Sequence, residues 1–279
     1  MRSRFLKSLS VGGRYEPLRE RISLLGLEIW LANSGYNPGG SVRESGEAWL
    51  VDRLGEEWGE VSALVIDCGA NSGSLSRHVL EATNFKVVAI EPAPERVAEL
   101  QELERSYPER GRVFPVGVGR ESGEGTLLEV GHNSAGSTFA PEVLAVDYLA
   151  VQTQGKVKCQ IRTVDEIIDE VTQVGGWSDP IALLKFDIEG LEDEALAGSR
   201  TVLEQNPQLT VQFEGNWHCL FRGTTVRSLA SLVPHRTLYQ LLPGRRGLKR
   251  RQRDDWKTNV YAHGNWVLLP SSMSIGLES

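Results

Sequence analysis

Apolar residues recur near the start of the chain at helical spacing. Leu18, Ile22, Leu25 and Ile29 lie three or four positions apart, the interval that places side chains on one helix face. Turn-forming residues from Asn33 to Gly40, Pro38 among them, end that segment. A second helix is expected over 44–54, with Trp49 and Leu50 facing inward. From residue 61 the pattern changes. Short, nearly continuous apolar runs at 63–66, 87–90 and 181–184 alternate with amphipathic stretches. They predict strands at 62–67, 86–91, 112–116, 125–130, 157–161, 181–187 and 208–214, and helices near 73–82, 94–105, 163–171 and 191–204. Continuous apolar strands suit a parallel sheet covered on both faces. Strand–helix alternation makes a doubly wound α/β fold with right-handed crossovers. The tail adds a helix over 224–233 and strands at 237–242 and 259–269. The expected organisation is a helical cap over 1–60 and one α/β domain over 61–279, built on a mostly parallel, seven-stranded sheet.

Composition narrows the class. A chain of 279 residues with 40% hydrophobic and 24% charged residues can bury a large core. Its net charge of −7 gives no general attraction to nucleic acid or anionic membrane. Three scattered cysteines (Cys68, Cys159 and Cys219) argue against a disulfide framework and suit a reducing, cytoplasmic location. No apolar run approaches the roughly 20 residues of a membrane span, and residues 1–13 lack the apolar core of a signal peptide. Arg245, Arg246, Lys249, Arg250, Arg251 and Arg253 crowd one segment. They read as a solvated loop or as contacts to an anionic acceptor. With only Trp256 nearby for stacking, a nucleic-acid platform is disfavoured.

The chemistry begins where the first apolar strand ends. The run 64–67 closes on Asp67, followed by Cys68-Gly69-Ala70-Asn71-Ser72-Gly73-Ser74 and a helical pattern; the next strand closes on Glu91-Pro92. Glycines at 69 and 73 allow a tight turn and close backbone approach to a ligand, and the helix start offers free N–H groups. The spacing is D-x-G-x-N-x-G, not the G-x-G-x-x-G of pyrophosphate-binding nicotinamide enzymes. A strand-end carboxylate repels a pyrophosphate but attracts an ammonium, so the charge pattern points to S-adenosylmethionine. Glu91 is placed to accept hydrogen bonds from ribose hydroxyls, and Pro92 fixes the exit turn.

A second constellation, Lys185-Phe186-Asp187-Ile188-Glu189-Gly190, ends another apolar strand. On an extended chain Lys185, Asp187 and Glu189 share one face. Three charges there require pairing or a cleft, and in an open α/β sheet the cleft lies at the carboxyl ends of the strands. Both constellations therefore belong to one site. Glu214 ends a further strand, and His218 follows in the next loop. His132 lies in a small-residue loop at 131–138 that either covers the acceptor or is merely solvated.

VIDCGANSGSLS, AIEPAPERVAEL, TVDEIIDE and LLKFDIEGLEDEALAGS occur here in that order. In sequence and spacing they resemble the FkbM-type methyltransferases, over roughly residues 45–215. The resemblance implies a class I, Rossmann-like fold, S-adenosylmethionine as methyl donor, and O-methylation of a sugar, glycolipid or polyketide-like acceptor. It places Glu47 (within Glu44-Ser45-Gly46-Glu47), Asp67, Gly69, Ala70, Asn71, Gly73, Ser74, Glu91 and Pro92 against the cofactor. Asp187 and Glu189 match the later acidic motif.

Methyl transfer to oxygen needs alignment and a proton acceptor. Asp187, Glu189 and His218 are the candidates for that acceptor. Asp187, Glu189 and Glu214 would hold a divalent ion such as Mg if one is used. The competing reading of these acids is structural, with Asp187 at the cofactor's amino-acid end and Glu189 paired to Lys185. Two other classes stay in view: a nicotinamide-dependent oxidoreductase, against which the loop spacing counts, and a non-catalytic nucleoside-binding module. A homo-oligomer is compatible with either organisation.

Overall fold

The described residues of the computed structural model form eleven strands, and they divide into two sheets. The structure describes residues 16–36, 40–130, 137–142, 153–243, 247–273 and 275, with the side chains of 16–21 and 153–154 excepted. His132, residues 1–13, Arg245 and Arg246 lie outside the described residues.

The chain enters through α1 (Glu16–Asn33) and α2 (Glu47–Trp58). It then runs β1 (Leu64–Cys68), α3 (Ser74–Ala82), β2 (Lys86–Ile90), α4 (Pro94–Ser106) and β3 (Gly111–Phe114). Next come β4 (Gly117–Val118), β5 (Gly123–Val130), β6 (Thr153–Arg162), α5 (Val164–Gln173) and β7 (Ile181–Phe186). After α6 (Glu192–Ala197), α7 (Arg200–Gln205), β8 (Thr210–Gly215), α8 (His218–Arg222) and α9 (Val226–Ser231), it ends with β9 (Arg236–Leu241), β10 (Leu248–Arg250) and β11 (Gly264–Pro270).

The main sheet has eight strands in the order β10-β9-β11-β8-β7-β1-β2-β3. β3, β2, β1, β7 and β8 pair in parallel, whereas β11 runs antiparallel to both β8 and β9. The fold is thus the expected Rossmann-like α/β sheet. Two strands expected in it, 125–130 and 157–161, instead pair with each other in a separate three-stranded sheet, β4-β6-β5. Strands from the tail take their places. Polar positions alternating with apolar ones along β5 suit a sheet with one face in water.

Period-two alternation divides the core. Ile66, Cys68, Val88, Leu184, Phe186, Val211 and Phe213 point to one face and pack under Val164, Ile167 and Val171 of α5. Val65, Val87, Ala89, Leu183 and Val267 point to the other and meet Leu50, Val51 and Leu54 of α2 and Leu75, Val79 and Leu80 of α3. Leu50 is buried as expected; Trp49 packs only at the margin of that core. The first helix forms, yet Ile22, Leu25 and Ile29 stay exposed. Its anchor is Trp30, whose ring stacks 6.2 Å from both Tyr36 and Trp256.

The helix expected over 191–204 is broken at Gly198 and Ser199. A Cβ at Gly198 would lie 2.1 Å from the Gly119 carbonyl oxygen, so backbone meets backbone there and the helix axis has to change. Of the basic segment, Arg251 donates to Gln240 and the Ser34 carbonyl, and Arg253 to the carbonyls of Val233 and Arg236. These two arginines are structural, while Lys249 and Arg250 are exposed. Among the described residues, no helix is long and apolar enough to cross a membrane.

Candidate active site

A cavity of about 360 Å³ opens at the carboxyl ends of the parallel strands. Sheet order sets out its wall: Glu91 after β2, Gly69 and Asn71 after β1, Asp187 and Glu189 after β7, Glu214 on β8, and His263 just ahead of β11. Pro92, Val116, Gly117, Leu127 and Phe139 complete much of the lining.

The glycine turn is shaped for this wall. Gly69 and Gly73 have φ of +79° and +77°, and Asn71 is itself left-handed at +48°, a region that asparagine tolerates better than most residues. A Cβ on Gly69 would stand 1.9 Å from the Asp187 carbonyl oxygen, so only glycine lets the β1 and β7 ends approach. The Glu91 carboxylate accepts from the Asn71 and Ala93 N–H groups, each at 2.9 Å. Burial nevertheless raises its pKa, with those two hydrogen bonds opposing.

Beneath the cavity floor lies a buried charge hub. Asp67 and Lys185 are neighbours in the β1–β7 register, and Lys185 pairs with Gln212 across to β8. The Lys185 ammonium is 3.2 Å from Asp187, 3.4 Å from Asp67 and 3.9 Å from Glu47. Asp67 also accepts from the Ser76 hydroxyl at 2.7 Å, and Glu47 from Ser45 at 2.7 Å and Gln212 at 2.9 Å. Burial works against the Lys185 charge, but the carboxylates of Asp187, Asp67 and Glu47 carry its pKa well above the ordinary value. Glu47 shifts upward, chiefly by burial.

The expected site residues therefore separate into two sets. Gly69, Asn71, Glu91, Pro92, Asp187, Glu189 and Glu214 line the cavity. Glu47 and Asp67 turn to the lysine hub beneath it; Ala70 is buried, and Gly73 caps α3. Ser74 is exposed beside Ser72. Lys185, Asp187 and Glu189 do not share one extended face, because β7 ends at Phe186 and Glu189 takes a left-handed turn with φ +57°. The Glu192 carboxylate holds that turn by accepting from the N–H groups of Ile188 and Gly190. Thr138 closes it from above by donating to the Glu189 carbonyl at 2.8 Å.

At the end of the cavity away from Glu91, acids and imidazoles converge. Asp187, Glu189 and Glu214 each present a carboxylate oxygen within 4.8 Å of the others. Burial, then the like charge of Asp187, pushes both Glu189 and Glu214 upward. His263, which no sequence pattern singled out, bonds Glu214 through Nε2. Burial pulls its pKa down, but the Glu214 hydrogen bond and charge carry it above the usual value. His218, only 4% exposed, sits behind Glu189 with Nδ1 3.0 Å from Glu189 Oε2, and burial lowers its pKa. Its backbone N–H donates to Asn216, whose amide donates to Glu214. The cavity thus has a carboxylate at one end and a cluster of carboxylates and imidazoles at the other.

Comparison with known proteins locates this arrangement. The family model for the methyltransferase FkbM domain matches residues 67–230. Among solved structures, the chain is similar to a methyltransferase FkbM from Methylobacillus flagellatus KT, with 18% identity and a TM-score of 0.45 over 75% of this chain and 44% of that one. The chain spans less than half the length of that relative. It is also similar to the magnesium protoporphyrin IX methyltransferase of Synechocystis PCC 6803, solved with bound SAM, at 11% identity and a TM-score of 0.39 over 94% and 99% of the two chains. A precorrin-6y C5,15-methyltransferase from Geobacter metallireducens GS-15 matches at 10% identity and a TM-score of 0.40, over 86% and 96%. No curated protein matched the chain.

Proposed function

Because the chain belongs to the FkbM methyltransferase family, we propose that it moves the methyl group of S-adenosylmethionine to a hydroxyl oxygen of a sugar, glycolipid or polyketide-like acceptor. The observation that carries this reading is the two-ended cavity, with Glu91 at one end and Asp187, Glu189, Glu214 and His263 at the other. A nicotinamide cofactor has no comparable support, since the loop lacks the bare backbone spacing that a pyrophosphate needs.

The residues present fit the proposed cofactor. Gly69 and Gly117 shape the cavity by what they admit against them: a Cβ would stand 1.9 Å from the Asp187 carbonyl oxygen at Gly69 and 2.6 Å from the Phe139 ring at Gly117, so both lining groups close up to the strand ends. Glu91 keeps lone pairs free for ribose hydroxyls while its two backbone donors hold it still. Val116, Val118 and Leu127 offer an apolar wall to a purine. Asp187, which lines the cavity where Asp67 does not, takes the ammonium of the amino-acid end, as the structural reading of these acids had it, and leaves Glu189, Glu214 and His263 to the acceptor. When bound, the cofactor supplies an electrophilic methyl carbon on a sulfonium.

The chain's own residues do the rest. The cavity orients the acceptor hydroxyl, and such alignment lowers a barrier by several kcal/mol, up to about 7–11 in the best cases. Glu189, which lines the cavity, receives the hydroxyl proton, and His218 behind it accepts charge or proton in turn. Such a base contributes roughly 10²–10⁴-fold.

Calorimetric titration of the full chain with S-adenosylmethionine tests the cofactor. The expected outcome is stoichiometric binding that weakens about tenfold or more in Glu91→Gln, close to 1.4 kcal/mol. Unchanged affinity in that variant, or tighter binding of NAD, would sink the assignment. Incubating labelled cofactor with glycosides and polyketide lactones, and locating the new methyl by NMR, then tests the transfer to oxygen.

A further inference from the structure

We propose that the first helix docks this protein on an anionic lipid surface, with the apolar side chains of α1 entering the interface and basic residues on either side of them meeting the headgroups. The inference goes beyond the methyl-transfer reading and does not depend on it.

The first observation is what α1 exposes. Ile22, Leu24, Leu25, Leu27 and Ile29 are all 48–55% exposed. Ile22, Leu25 and Ile29 share one face of the helix, while Leu24 and Leu27 lie on the opposite one. A Cβ on Gly26 would meet nothing within 4 Å, so this part of the helix stands clear of the body. A helix that is apolar all round belongs in a core or in lipid. A second copy of the chain would lay a helix along one stripe and leave the other in water. Lipid covers both. Residues 22–29 span roughly 12 Å, which matches the shallow depth of an interfacial segment and falls far short of a crossing.

The second observation is charge. The chain totals −7, yet residues 1–21 hold Arg2, Arg4, Lys7, Arg14, Arg19 and Arg21 against only Glu16 and Glu20. A basic segment beside exposed apolar side chains is drawn to anionic headgroups. The fold adds cations at the other end of the helix. Arg251 donates to the Ser34 carbonyl, one residue past α1, at 2.8 Å, which seats the basic segment of the tail at the helix root. Its neighbours Lys249 and Arg250 are exposed. Acids near this root are engaged: Asp254 pairs with Arg227 at 2.9 Å, and Asp255 accepts from the Lys257 N–H. Residues 22–33 carry one charge, Glu28, which shallow docking leaves at headgroup depth.

The third observation is aromatic. Trp256 is 67% exposed, although its ring stacks on Trp30 at the same root, and the Lys257 ammonium lies 5.9 Å from its centroid. Tryptophan favours the boundary between lipid and water, where its body is apolar and its N–H stays wet. The root also adjoins the cavity. A Cβ on Gly264, next to His263, would stand 3.4 Å from the Tyr36 ring that stacks on Trp30, and Gly40 lies in the cavity lining. Docking through α1 therefore brings the cavity rim close to the lipid surface.

Co-sedimentation of the full chain with vesicles tests the proposal, with S-adenosylmethionine titrated separately by calorimetry. The vesicles are phosphatidylcholine alone, or phosphatidylcholine with about 30% phosphatidylglycerol. The expected result is binding to the anionic vesicles that weakens about tenfold or more on neutral ones, or in about 0.5 M salt. The double variant Leu24→Glu, Leu27→Glu should lose about tenfold or more in affinity, and so should Lys249→Glu, Arg250→Glu. All four positions are exposed, so both variants should keep the wild-type melting temperature. Wild-type protein that stays in the supernatant with anionic vesicles overturns the docking, as does full vesicle affinity in both variants. A dimer in analytical ultracentrifugation that dissociates in Leu24→Glu, Leu27→Glu, without vesicle binding by wild type, overturns it in favour of a second copy. Vesicle binding without S-adenosylmethionine binding leaves the docking standing and removes the cofactor reading; the opposite pair of results does the reverse.

Discussion

Lys185 shows how one side chain links the stability of this fold to its chemistry. It is 4% exposed and sits among three carboxylates from α2, β1 and the β7 end. Removing one partner of a buried ionic group costs about 3–5 kcal/mol, because the other charges are left uncompensated. Lys185→Met should therefore lower unfolding free energy by about that amount, measured by urea denaturation. Adding Asp67→Asn to it should recover part of the loss, since one of the stranded charges disappears. At this scale much of the site was legible. Gly69, Asn71, Glu91 and Asp187 are marked by local patterns, because a glycine turn and a strand-end acid are properties of a few consecutive residues. The partner of Asp67 was not legible. Strand register across 118 residues decides it, and register is a property of the assembled sheet.

Among the elements, the junction at the start of α5 is the most instructive. Thr163 caps α5, accepting from the Glu166 N–H, and Asp165 in its first turn reaches across to accept from the N–H groups of Thr201 and Val202, both at 2.9 Å. One carboxylate thus satisfies the free donors at the start of α7, the short helix created by the break at Gly198. Asp165→Ala should cost about 0.5–2 kcal/mol, read as a shift in urea midpoint with no change in slope. Helix periodicity predicted one helix over 191–204, since nothing local announces that Gly198 must press against Gly119. Similarly, β5 and β6 have ordinary strand composition. Their departure from the main sheet depends on their pairing with each other. His263 escaped notice for a related reason: it lies within a run expected to be strand, and only the antiparallel entry of β11 brings it to the cavity.

The whole molecule carries an acid–base signature. Glu91 and Glu192 both have raised pKa values, mainly through burial, with Glu192 at about 7. An acid with a raised folded pKa binds more protons folded than unfolded, so its contribution to stability falls as pH rises from the ordinary carboxylate value, near 4.3, through the folded one. His218, held down by burial, opposes this trend only below its ordinary value near 6.5. The ligand-free protein should accordingly melt at a lower temperature at pH 8 than at pH 5.5. Glu192→Gln should flatten the profile by about 1–3 kcal/mol, as scanning calorimetry across that range would show. Charge and composition alone could not reveal this, because −7 overall says nothing about which acids are buried.

The insertion of β11 between β8 and β9 also sets an order of events. During synthesis, β1, β2, β7 and β8 emerge well before residues 264–270, but β9 has no neighbour on its inner side until they arrive. The parallel strands can gather early, yet the gap beside β8 stays open, with Trp266 and Leu268 missing from the core and His263 missing from the cavity wall. A ribosome-bound chain arrested before residue 263 would hold the cofactor end and the carboxylates of Asp187, Glu189 and Glu214, but lack the His263 that bonds Glu214 and the strand that seats it.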